Sequence, residues 1–311
     1  MSPVTLVITQ RETFSRTRES LASLRASLAT PARIVFVDGG SPPEIRDFLA
    51  AQADAADFIH LRHERFLPPN EAKNLALPHI DTEFAAFVDN DVLFEPGWLE
   101  QLVATARETS AAAIGPLYLE RVGTTEKTHM TGGIVRIQQS RGRRTLVETH
   151  ESRKHAAQPA ATAPFPTGHL EMHALLVRSA LLRGETPLFD PAILSIPENA
   201  DLCLQIAHAG GQCWIDPRAR VTVILPETLD PIDKDFYTTR WSQAWQIAGL
   251  EHFRRKWQLT GHQPVFASQL NWVAAHRLVA RRFPLHRLLR IPSDSILNRL
   301  LLAPLQQRLF G

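Results

Sequence analysis

The chain is poor in cysteine, with two, Cys203 and Cys213, among 311 residues. Two thiols cannot build the disulfide framework of a small secreted protein, and their scarcity suits a reducing cytoplasm. Both stand beside apolar residues (Leu202, Leu204, Trp214), the usual setting of buried structural thiols. Long apolar runs are missing too. No stretch approaches the roughly 18 apolar residues of a membrane span. Residues 1–10 lack the basic and apolar regions of a signal peptide. A glycine-rich basic loop is absent after the first apolar run, where 9–14 reads Thr-Gln-Arg-Glu-Thr-Phe. That argues against nucleotidyl transfer through such a loop. There is no internal repeat and no low-complexity tract.

What is present is an ordinary globular composition, 44% hydrophobic and 21% charged, in a chain long enough to bury a sizeable core. The net charge of +2 hides an asymmetry. Residues 276–311 carry seven arginines against the single acid Asp294, which leaves the rest of the chain at −4. A basic tail bearing Leu285, Leu288, Leu297, Leu300 and Leu301 reads either as a helical cap or as a peripheral contact with anionic lipid. Nucleic acid is not expected as a partner, because aromatics are not interleaved with the positive charge and no binding motif accompanies it.

Strand-like and helical patterns alternate through the first hundred residues. Apolar runs at 5–9, 33–38, 58–61 and 84–88 are separated by helical periodicities at 15–28, 44–53 and 70–79, with another at 97–108. Asn70 is the expected N-cap of the third helix. This alternation predicts an α/β fold with a doubly wound, mostly parallel, Rossmann-like sheet. Residues 118–170 are expected to be an irregular insertion over the site, with a short hairpin at 134–138 and 144–147. Strands follow at 173–177, 213–215 and 220–225, with a helix at 198–209 between them. One long helical segment is expected at 236–257, and two C-terminal helices near 268–282 and 294–309.

The most informative segment is Phe-Ala-Ala-Phe-Val-Asp-Asn-Asp at 84–91. An apolar strand ending in Asp-X-Asp presents two hard oxygen ligands where open α/β sheets bind ligands, a pattern suited to Mn²⁺ or Mg²⁺ held with a substrate phosphate. A solvated turn after a buried strand is the other reading of the tripeptide.

Five pieces then occur in order: a first strand, Val-Asp-Gly-Gly-Ser at 37–41, Asn-Glu-Ala-Lys-Asn at 70–74, Asp-Asn-Asp at 89–91, and Glu-Asn-Ala-Asp at 198–201 before Gly210 and Gly211. Over roughly residues 3–225 this resembles family 2 of the inverting nucleotide-sugar glycosyltransferases, with the GT-A fold. The resemblance implies a nucleotide-sugar-binding half at 1–110 and an acceptor-binding half at 111–232, followed by a helical extension at 233–311. The leading donor is a UDP-sugar, and the acceptor a hydroxyl of a cell-envelope glycan or lipid-linked glycan, reached from the cytoplasm.

It also implies roles. Asp38 would hold the base or ribose, and Thr9, Arg11 and Glu12 would flank the nucleotide. Lys73 and Asn74 would face it, with Asn90 between the two aspartates. Asp91 would ligate the metal, with Asp89 on the ribose or a metal-bound water. Arg240 is the candidate diphosphate contact, within a Trp-rich segment that otherwise reads as packing. His129 and His173 are candidates on the acceptor side, and each also reads as an ordinary structural histidine.

Two departures stand out. Where relatives carry the second acid of a Glu-Asp pair as general base, this chain has Asn199, whose carboxamide cannot accept a proton. Glu198 and then Asp201 are the remaining candidates, and each could instead serve only to cap the helix. No histidine follows the last strand, 220–225, where many relatives have a metal ligand. A catalytically degenerate nucleotide-sugar-binding protein is therefore the alternative to an enzyme.

Overall fold

The computed structural model describes residues 3–53, 57–151, 162–184 and 186–280, with 289, 291, 295–302 and 305. Its centre is four parallel strands, β1 (Val4–Thr9), β2 (Arg33–Gly39), β3 (Phe58–His63) and β4 (Phe84–Asp89), in the order β4-β1-β2-β3. All six residues of β1 and of β4 are buried, as strands covered on both faces must be. Alternate side chains of β1 enter two cores on opposite faces. Leu6 and Ile8 join Leu21 and Leu24 of α1 (Thr17–Ser27) and Ile45 and Leu49 of α2 (Pro43–Gln52). Val7 joins Ala72 and Ala76 of α3 (Pro69–Ala76). The sheet is thus doubly wound.

After β5 (Val92–Phe94) and α4 (Trp98–Thr109), the expected irregular insertion is instead largely strand. β6 (Ala113–Val122) pairs with β7 (Thr125–Met130), and β8 (Gly133–Ser140) with β9 (Arg143–His150) form a hairpin longer than foreseen. The polar residues that suggested a loop are the exposed faces of these strands, while Val135 and Leu146 point into the core. β10 (Phe165–Thr167), β11 (Ala174–Arg178) and β12 (Cys213–Leu225) complete the large sheet, with β11 antiparallel between β4 and β6. The last two predicted strands are one, irregular between Asp216 and Arg220.

α5 (Glu198–His208) lies before β12. The long C-terminal segment is broken into α6 (Lys234–Arg240) and α7 (Gln243–Lys256) at Ser242, whose hydroxyl accepts from the Trp245 amide and starts a new helix. α8 (Pro264–Arg277) follows. Asn70 does not cap α3. Pro68 precedes the helix and Pro69 opens it, so Asn70 falls inside the first turn and donates to the Asp190 carbonyl at 3.0 Å. Cys203 and Cys213 are both buried free thiols. Among the described residues no helix is long and apolar enough to cross a membrane. Most of the tail arginines, and residues 294, 303, 304 and 306–309 of the helix expected at 294–309, lie outside the described residues.

Candidate active site

The parallel strands β1, β2 and β4 deliver their carboxyl ends to one edge, and the chain goes to opposite sides of β1 when it forms β2 and β4. This is the topological switch point at which open α/β sheets hold ligands. Thr9 and Asp89 are register partners there. The loop after β1 is fixed by Asn90, whose Oδ1 accepts from the Arg11 amide at 3.2 Å and whose Nδ2 donates to the Thr13 carbonyl at 2.6 Å and to Thr17 Oγ1 at 2.9 Å. Asn90, expected at the donor, is therefore engaged in shaping the loop that carries Arg11 and Glu12.

Asp38 ends β2 with no exposed surface. Gln10 Nε2 donates to it at 3.0 Å, the Ser41 amide at 3.1 Å and Arg62 at 3.0 Å, while His60 Nε2 lies at 3.1 Å. Burial pushes this carboxyl up, but hydrogen bonds from His60, Ser41 and Gln10 outweigh it and hold the pKa at about 2. Gln10, His60 and Arg62 carry no motif, so their part in orienting Asp38 emerges only from the fold.

Asp89 and Asp91 face a buried electrostatic network. Arg11 lies 3.5 Å from Asp89, 3.6 Å from Glu198 and 3.6 Å from Glu12. Arg240 donates to Glu198 Oε1 at 2.8 Å and also to Ser195 Oγ. Burial opposes ionisation of Asp89, yet Arg11 and a hydrogen bond from His173 Nδ1 at 3.0 Å hold its pKa below the usual carboxylate range. Asp91 is the opposite case. Burial, then Asp89, then Glu12 push its pKa well up, and its Oδ1 has no hydrogen-bond partner. Lys73 is buried nearby, and burial lowers its pKa against the attraction of Glu198 and Asp89. Asp89, Asp91 and His173 bring ligand atoms within 4.8 Å of one another. His173, the residue before β11, thus stands beside the two aspartates as well as near His129 and Glu171.

Glu171 is a further buried carboxylate, for which the sequence offers no motif. Glu171 Oε2 accepts from Asn199 Nδ2 at 2.5 Å, and its Oε1 lies 3.4 Å from His150 Nδ1 and 3.8 Å from His129 Nε2. Burial pushes Glu171 up, but the imidazoles of His129, His150, His173 and His169 hold it at about 2. Asn199 thus presents a donor to a carboxylate arriving from another segment.

Three expected contacts are redirected. Asp201 is engaged elsewhere: Lys256 Nζ donates to it at 2.8 Å and Trp257 Nε1 at 2.7 Å, so it ties α5 to the end of α7. The Asn74 amide donates to the Phe189 carbonyl at 2.7 Å. The Arg240 fork, expected at the diphosphate, is buried and donates to Glu198 and Ser195.

Comparison with known proteins agrees with this architecture. The model of glycosyl transferase family 2 matches residues 5–165. The pre-mycofactocin glycosyltransferase of Mycobacterium tuberculosis is 29% identical over 221 residues, which is 70% of this chain and 42% of that protein. The succinoglycan biosynthesis protein ExoM of Rhizobium meliloti is 28% identical over 113 residues, 35% of this chain and 36% of that one. The chain therefore spans less than half the length of these curated relatives. The crystal structure of GalNAc-T7 with UDP, GalNAc and Mn²⁺ shares the fold at a TM-score of 0.56 and 18% identity, covering 87% of this chain and 55% of that one. With more than half of its residues matched by the family model and a GT-A sheet carrying acids at the switch point, this chain belongs to glycosyl transferase family 2.

Proposed function

We propose that the protein transfers a sugar from a nucleoside diphosphate donor, a UDP-sugar in the leading case, to a hydroxyl acceptor with inversion at the anomeric carbon. The reading is carried by Asp91, whose buried Oδ1 has no hydrogen-bond partner and which is crowded by Asp89 and Glu12. Carboxylates pressed together in this way fit a divalent cation, and their oxygen donors suit Mn²⁺ or Mg²⁺. Asp91 would hold the ion directly, with Asp89 beside it. Bound there, the metal supplies Lewis-acid stabilisation for the departing diphosphate.

The chain's own residues do the rest. Asp38, kept ionised, accepts from the ribose or base, and Arg11 and Lys73 bring positive charge to the donor side. Glu198 is the proposed base. Both arginines act on its Oε1, while Oε2 is buried without a partner and free to accept the acceptor's proton. The acceptor is assigned to the side of His129, whose side chain is 24% exposed where Glu171 and His173 are closed off. A glycan acceptor accords with the relative named for succinoglycan biosynthesis.

Turnover of UDP-sugars with candidate glycan acceptors, followed by NMR of the new anomeric centre, tests this. Inverted product whose formation requires Mn²⁺ or Mg²⁺ supports it. Donor binding with no transfer to any acceptor would favour the degenerate binding protein, and retained configuration would remove the single-displacement role of Glu198.

A further inference from the structure

His129, Glu171 and His173 form a second cluster of potential metal ligands beside that of Asp89, Asp91 and His173. His129 Nδ1 lies 2.6 Å from Glu120 Oε2, and His173 Nδ1 lies 3.0 Å from Asp89 Oδ2. An ionised carboxylate can only accept, so each ring donates its Nδ1 proton outward and is left with an Nε2 lone pair. Metal-binding histidines are oriented in this way by an acceptor on the ring nitrogen that does not touch the metal. Glu171 supplies the third atom. Its Oε2 is tied to Asn199, while Oε1 lies 3.8 Å from His129 Nε2 and 3.4 Å from His150 Nδ1.

The dimensions agree. Ligand atoms of His129, Glu171 and His173 lie within 4.8 Å of one another, and the His129 Nε2 to Glu171 Oε1 distance is 3.8 Å. Two ligands at zinc distance from a tetrahedral ion stand roughly 3.4 Å apart. Bringing the His129 and Glu171 atoms to that spacing takes a few tenths of an ångström. Tyr118 anchors the segment, because its hydroxyl lies 2.9 Å from both the Glu171 and Ala174 carbonyls that flank the ligands.

From this geometry we infer a metal site formed by His129, Glu171 and His173, separate from the ion at Asp91 and selective for a borderline cation of the zinc class. Two imidazoles and one carboxylate match zinc or cobalt, whereas Mg²⁺ prefers oxygen throughout. Three protein ligands leave one tetrahedral position open, as in catalytic rather than structural zinc sites. Asn199 then has a purpose that the general-base comparison does not give it: its amide fixes the orientation of the Glu171 carboxylate.

The test uses the full chain, stripped with chelator and carrying Asp91→Asn to silence the donor metal, titrated with Co²⁺ alone and without nucleotide. One cobalt per chain is expected, with the intense visible band of a four- or five-coordinate site, displaced by Zn²⁺ and not by Mg²⁺. His129→Gln and Glu171→Gln should abolish the band at the same cobalt concentration, and Glu120→Gln should weaken binding by about 10–100-fold. His129 is partly exposed, so its variant decides the matter even if Glu171→Gln does not fold. Absence of the band in the Asp91→Asn protein, or a band untouched by His129→Gln, would overturn the site. Neither outcome bears on glycosyl transfer itself, which is read separately with the Asp91 site intact.

Discussion

Arg240 and Glu198 form an ion pair of 2.8 Å in which the arginine side chain has no exposed surface and the glutamate almost none. Arg11 reaches the same glutamate oxygen at 3.6 Å. A carboxylate deprived of water needs such partners, and this one receives two. The other oxygen is buried without a hydrogen-bond partner.

Removing Arg240 should therefore cost more than an ordinary surface change. Arg240→Met leaves Glu198 dependent on Arg11 alone, and breaking a buried pair from one side typically costs about 3–5 kcal/mol. Urea denaturation should show a loss of that order. Arg240→Lys should recover only part of it, since an ammonium cannot serve Glu198 and Ser195 with one planar fork.

Glu198→Gln should lower kcat by about 10²–10⁴-fold, the usual worth of a general base, with nucleotide binding little changed. The comparison variant is Asp201→Asn. It breaks contacts with Lys256 and Trp257 and should reduce stability while leaving kcat of the folded enzyme within a few-fold of wild type. Equal kcat losses in both would contradict the assignment of the two acids.

Asp38 makes stability depend on acid pH. Its pKa falls from 3.8 unfolded to about 2 folded, so its contribution is complete above pH 4 and is lost as pH falls towards 2. The size is about 2 kcal/mol. Stability curves of wild type and Asp38→Asn should run parallel above pH 4 and converge below it.

Asp91→Asn should raise the melting temperature of the metal-free protein, because it removes a carboxyl whose ionisation burial, Asp89 and Glu12 all oppose. The same change should weaken Mn²⁺-dependent nucleotide binding by at least about tenfold, since even outer-shell partners of a metal are worth that much. Calorimetry of the variant with and without Mn²⁺ and nucleotide measures both effects.

Much of the candidate site is legible in the sequence because its acids sit at strand ends. Asp38, Asp89 and Asp91 each close an apolar run, and the sheet carries those ends to one edge whatever the rest of the chain does. What the side chains do there is less legible. Asn90 lies between two acids and reads as part of a binding motif, yet its amide is spent on Arg11, Thr13 and Thr17. Asp201 sits three residues from Glu198 at the start of one helix, but it leans toward α7, which no local pattern announces. Glu171 was invisible for the same reason. Its partners His129, His150 and Asn199 come from β7, β9 and α5, and only the antiparallel placement of β11 beside β4 brings them to Asp89.

The most direct test of metal-assisted use of a nucleotide donor is the melting temperature with UDP, GDP, dTDP and CDP, each with and without Mn²⁺. A ligand that binds only the native state raises it by mass action, about 2.7 kcal/mol of stabilisation at a hundredfold excess over Kd. A rise with one nucleotide, UDP in the leading case, that requires Mn²⁺ and disappears in Asp91→Ala is the predicted result. No rise with any of the four, or a rise indifferent to Mn²⁺ and to Asp91, would contradict a donor metal at the end of β4.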